Sequence, residues 1–109
     1  MTLKNIPTPT NTQKEVVVNL TSINCRCIDL TINIGGSTDW SLPMHLSNEQ
    51  IKKNATYRVG QSFYYTVGNV YYYCSCSVKV SNRILTITGS LYVNNNLNDD
   101  KITVDAWYE

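Results

Sequence analysis

The residues with the most chemical potential in this 109-residue chain are its four cysteines, arranged as two Cys-x-Cys pairs, Cys25/Cys27 and Cys74/Cys76. In an extended strand, residues two apart share a face, so each pair presents its thiols together. Three chemistries fit. Disulfides between the two strands would staple a small domain in an oxidising setting, each adding about 2–4 kcal/mol. Bridging within one Cys-x-Cys pair is strained, so cross-strand pairing of Cys25 and Cys27 with Cys74 and Cys76 is the expectation. Four buried free thiols, packing as small hydrophobes, are the second reading. A four-thiolate metal site is the third. Zinc sites usually take wider spacings on turns that wrap the ion, and extended strands wrap poorly, so no metal ligand is assigned.

Parity places a condition on the staple. Cys74 and Cys76 share parity with Val70, Tyr72, Val78 and Val80, the apolar face of their strand. Cys25 and Cys27 are out of phase with Ile28, Leu30, Ile32 and Ile34. One extra residue near Cys27-Ile28 flips the alternation and turns the first pair inward, so a bulge is predicted there. Without it, Cys25 and Cys27 face solvent or a partner.

Little else suggests catalysis. The one histidine, His45, follows Pro43, and a Cys–His nucleophile would need an activated thiol beside it. The carboxylates form no recognisable acid/base pair. Asp99-Asp100 sits in an Asn-rich stretch that reads as a solvated loop tip rather than a calcium site. Gly35-Gly36 is a lone turn, not a phosphate loop. A non-enzymatic protein without a cofactor is expected.

The tyrosines are more suggestive. There are eight, five of them clustered as Tyr64-Tyr65 and Tyr71-Tyr72-Tyr73. Neighbours in a strand face opposite ways. With Tyr65 and Tyr72 inward, Tyr64, Tyr71 and Tyr73 form an outward patch on two joined strands. Exposed tyrosine offers flat amphipathic contact area at low entropy cost, which suits binding and sugar stacking. Trp40, read as a loop residue, is added as a ligand contact. The competing readings are ordinary cross-strand aromatic pairing and a homo-oligomer interface.

These residues need strands to position them. Residues 1–14, with Pro7 and Pro9 among threonines, read as an extended, loosely held arm, and 15–109 as one domain. Period-two patterning marks strands at Val16–Leu20, Ile28–Ile34, Tyr57–Tyr65, Val70–Val80, Leu85–Val93 and Ile102–Ala106. Gly60 is read as a bulge, Gly68-Asn69 and Ser81-Asn82 as two-residue turns, and Asn94–Asn98 as a loop. Residues 37–56 read as irregular, with Ser47 and Gln50 spaced as a capping box. The expected fold is all-β: an antiparallel β-sandwich, jelly-roll or immunoglobulin-like, of about seven strands with no long helix.

Nine basic against eight acidic residues leave a net charge of +1 and no basic footprint for nucleic acid. No apolar run approaches the roughly 20 residues needed to span a bilayer, so membrane insertion is not expected. The N-terminus lacks the apolar core of a signal peptide. Oxidised cysteines would favour a secreted or virion-surface setting.

The order of features resembles one family. A polar arm leads into a strand, then Trp40-Ser41-Leu42-Pro43, a short irregular stretch and hairpins. Arg83-Ile84-Leu85-Thr86-Ile87-Thr88-Gly89-Ser90 follows, and a last strand carries Trp107. This is similar to the receptor-binding heads of phage tail fibres and baseplates. The resemblance implies a jelly-roll sandwich that forms trimers and binds cell-surface saccharide. The four cysteines and the missing stalk depart from that pattern, and no binding residue is carried over.

Overall fold

The alternating pattern resolves into nine strands in a computed structural model that describes residues 2–109. They are β1 (Lys4–Ile6), β2 (Val16–Asn19), β3 (Cys27–Ile34), β4 (Ser41–Ser47), β5 (Ala55–Tyr65), β6 (Val70–Ser81), β7 (Ile84–Val93), β8 (Asn96–Asp99) and β9 (Ile102–Tyr108). One helix, α1 (Asn48–Lys52), links β4 to β5. The first sheet has the order β1-β9-β3-β4. The second has the order β2-β7-β6-β5, with β8 also on β7. Every strand pair is antiparallel. The sandwich is therefore as expected, with nine strands instead of about seven.

Inward residues of the two sheets make one core. On β3, Ile28, Leu30, Ile32 and Ile34 are buried. They stand opposite Leu46, Met44 and Leu42 of β4 and Tyr108, Ala106, Val104 and Ile102 of β9. In the second sheet, Val78 and Val80 lie across from Ile87 and Leu85, which in turn face Val16 and Val18. Fully burying one such aliphatic side chain is worth about 1.5–3 kcal/mol, so this face fixes the register. Gly89 marks a close approach between the sheets. A Cβ there would lie 2.9 Å from Ile102 Cγ2 and 3.4 Å from Ile34 Cγ1.

Several local expectations are corrected. Residues 41–47 form a strand, with Leu42, Met44 and Leu46 inward. Pro43 is tolerated because β4 is an edge, where the missing N–H breaks no ladder. The capping box is formed: Ser47 N donates to Gln50 Oε1 and Gln50 N to Ser47 Oγ. The arm is stitched down rather than loose. β1 pairs with β9, Thr8 donates to the Val104 carbonyl, and Gln13 and Ile102 exchange backbone bonds of 2.8 Å. No bulge occurs at Gly60, where β5 stays in register with β6. The Asn-rich stretch contains β8, which begins after a two-residue turn at Asn94-Asn95.

The turns differ by small shifts. Tyr65 pairs with Val70, so the β5–β6 loop is four residues, with Gly68 and Asn69 both at positive φ. Ser81 pairs with Ile84, so the next turn is Asn82-Arg83, at φ +49° and +64°. Positive φ is unusual for arginine, and its side chain explains the tolerance. Arg83 Nε donates to the Leu20 carbonyl at 3.2 Å and Nη2 to the Ile23 carbonyl at 2.7 Å. Nη2 also reaches Cys25 Sγ at 3.6 Å. The guanidinium thus pins the segment between β2 and β3. Arg83→Ala is expected to cost about 2 kcal/mol by orphaning these charge-assisted bonds. Alkylation of Cys25 should accelerate in the folded protein; an unchanged rate would show that Arg83 does not hold this segment.

Candidate functional site

The cysteines do not form the clamp. All four are free thiols. β3 runs regularly from Cys27, opposite Ser47, with no bulge at Cys27-Ile28. The phase changes in the preceding loop instead, which buries Cys25 and leaves Cys27 half-buried on the outer side of the first sheet. Cys74 and Cys76 point inward from β6 of the second sheet, as their parity requires. The pairs therefore belong to different sheets. Nor do they gather as a metal centre: among the described residues, no group of three or more His, Cys, Asp or Glu is arranged to hold an ion.

Burial keeps the β6 thiols protonated. Desolvation pushes Cys74 up and carries Cys76 from near 9 to about 12, with the neighbouring Cys74 adding to the latter. Cys27 is also raised, by desolvation first and then by the Glu109 and Asp29 carboxylates. Raised thiol values favour the folded state only while the thiol stays protonated. That contribution is complete below pH 9 and is lost as pH climbs from about 9 to about 12. Alkaline unfolding of Cys76→Ala should show a shallower loss of stability over that interval than the parent. An identical slope would remove Cys76 from the account.

The outer face of the second sheet carries the aromatic patch. Tyr64 of β5 stands opposite Tyr71 of β6, and Tyr73 stands between Ser62 and Tyr92. The Tyr73 and Tyr92 rings lie 6.4 Å apart. Tyr64 Oη donates to Asn69 Oδ1 at 2.9 Å, tying the ring to the β5–β6 turn. Two shallow depressions meet on this face and share Tyr73 and Ser75. One, of about 230 Å³, includes Arg58, Gly60, Ser77, Thr88 and Ser90. The other, of about 470 Å³, includes Tyr71, Tyr92 and Asn95. Gly60 makes the first possible, because a Cβ there would meet Tyr73 Oη at 2.8 Å. The Tyr73 ring lies over the bare backbone.

Trp40 does not join this patch. It closes a single 3₁₀ turn, Thr38–Trp40, and stacks on Tyr72 at 4.8 Å, edge-on to Phe63 at 5.9 Å. Tyr72 belongs to the inward parity of β6, so this cluster seals the opposite side of the same strand. Tyr65 packs edge-on to Tyr72 yet remains 53% exposed. Three of the four expected contacts, Tyr64, Tyr71 and Tyr73, are thus together and Trp40 is apart. Tyr92 and the hydroxyl row were missed. Their signal was parity: Tyr92, Ser90 and Thr88 alternate with the buried Leu91, Gly89 and Ile87.

On the outer face of the first sheet, His45 Nδ1 lies against Asp29 Oδ1 at 2.7 Å, both exposed, and Ser41 Oγ donates to Asn33 Oδ1. Asp29 also lies opposite Trp107, which is 42% exposed. No described helix is long and apolar enough to cross a membrane. No family model, curated protein or solved structure matches the chain.

Proposed function

We propose that this is a non-enzymatic binding module that recognises a neutral carbohydrate or similar cell-surface ligand on the outer face of its second sheet. The observation that carries this reading is the pairing of tyrosine rings with hydroxyls around Tyr73. Tyr64, Tyr71, Tyr73 and Tyr92 offer rings, and Ser75, Ser77, Thr88 and Ser90 offer donors and acceptors. Sugars need this combination: apolar ring faces for stacking and hydroxyl partners around the rim. No carboxylate or imidazole lines either depression, and the one charge is Arg58. That lining suits a neutral, hydroxyl-rich ligand. The resemblance to phage receptor-binding heads leads to the same ligand class.

A glycan array with the wild-type chain, repeated with Tyr71→Ala and Tyr73→Ala, tests the proposal. Binding to a defined glycan that is lost in both variants supports it. Binding that survives both removes the patch from the account.

A further inference from the structure

The edges of the two sheets are guarded unequally. An exposed strand edge is a row of unpaired N–H and C=O groups, and proteins blunt it with short strands, proline or bulges. Three edges here carry such devices. β1 is three residues long. β4 carries Pro43 and runs into α1. β2 and β8, of four residues each, share one flank of β7. β5 has none. It runs eleven residues with unbroken register to β6, without proline or bulge, and its one charged residue is Arg58. Among the described residues, no strand and no backbone hydrogen bond reaches its other side. Gly60, whose exposure is backbone exposure, is open to solvent at its centre.

We infer that β5 pairs antiparallel with β5 of a second copy, about a two-fold axis at Gly60, to make one continuous sheet across two sandwiches. Gly60 is the midpoint of Ala55–Tyr65, so this register uses the whole strand. It sets Tyr57 opposite the partner's Phe63, a favourable aromatic cross-strand pair. It also sets Arg58 opposite the partner's Ser62, so the strand's one charge never meets its own copy. The strand is therefore complementary to itself, which a two-fold interface requires. Pairing would satisfy about ten backbone groups that now face water. Both tyrosine faces would then lie on one side of the joined sheet. The dimer stands independently of what those faces bind.

The test uses the charge register. Sedimentation equilibrium over micromolar to millimolar protein should show a monomer–dimer equilibrium for the wild type. Ser62→Lys places a second cation opposite Arg58 at two symmetric points and should weaken the dimer about tenfold. Ser62→Glu should tighten it by a similar factor. The double change Arg58→Glu with Ser62→Lys sets opposite charges across the seam again and should tighten association about as Ser62→Glu does. Within one chain these positions are about 13 Å apart along the strand, so the swap reports on the partner. Circular dichroism confirms that each variant keeps its sheets. A strict monomer throughout, or a dimer indifferent to both single changes, overturns the proposal.

Discussion

Tyr73→Ala is expected to weaken saccharide binding about 30-fold in a calorimetric or NMR titration. The figure corresponds to truncating one central aromatic contact, about 2 kcal/mol at 1.4 kcal/mol per tenfold. Tyr73 is central in a literal sense. It is the tyrosine common to both depressions, and it lies between Ser62 and Tyr92 across three strands. Tyr73→Phe separates ring from hydroxyl and should lose only a minor part of the affinity. Gly60→Ala provides a subtler test. Its methyl group would push on Tyr73 Oη from 2.8 Å and on Cζ and Cε1 from 3.3 Å. The tyrosine stays in the sequence while its ring is lifted, so affinity should fall with little change in stability. Equal affinity in Tyr73→Ala and wild type would move the site elsewhere.

The largest stability effect is expected at Gly89. Gly89→Val should cost about 3 kcal/mol, the upper end of ordinary overpacking. That corresponds to a fall in melting temperature of roughly 12–24 °C for a domain of this size. The first added carbon already sits 2.9 Å from Ile102 Cγ2, and a β-branched isoleucine has few ways to yield. The Ser75 carbonyl, 3.4 Å away, closes the remaining side. The sheets must therefore separate, or β7 must bow. Thr88→Val, one residue along on the solvent side, should change stability by less than about 0.5 kcal/mol. Thermal melts that give the two variants the same midpoint would refute the close-approach argument.

How much of this could be read beforehand depended on which force decided each segment. β3 and β6 were legible because their alternation is imposed by a buried face, and period two survives in the residue order. β4 carries the same signal in Leu42, Met44 and Leu46, but Pro43 masked it. An edge strand accepts a proline, and nothing local says that a strand will be an edge. β1 and β8 have almost no pattern of their own: Lys4–Ile6 and Asn96–Asp99 are strands because β9 and β7 offer them partners. The cysteines failed for a related reason. Parity located Cys74 and Cys76 on the inner face of β6, but parity says nothing about which sheet receives Cys25 and Cys27. The intervening loop, held by Arg83 from another turn, decided that. The tyrosine patch was legible to the extent that it lay on one hairpin. Tyr92 belongs to the neighbouring strand and became part of the patch only through the β6–β7 register.

The pairing of β1 with β9 has a mechanical consequence. Lys4 stands opposite Tyr108, so the two ends of the described chain leave from one corner of the first sheet. Tension between those ends would load the β1–β9 hydrogen bonds one pair at a time, like a zipper, instead of shearing them together. Under force, the three residues of β1 should peel away first, followed by the Gln13–Ile102 bridge. The second sheet and its tyrosine face lie outside that line of load.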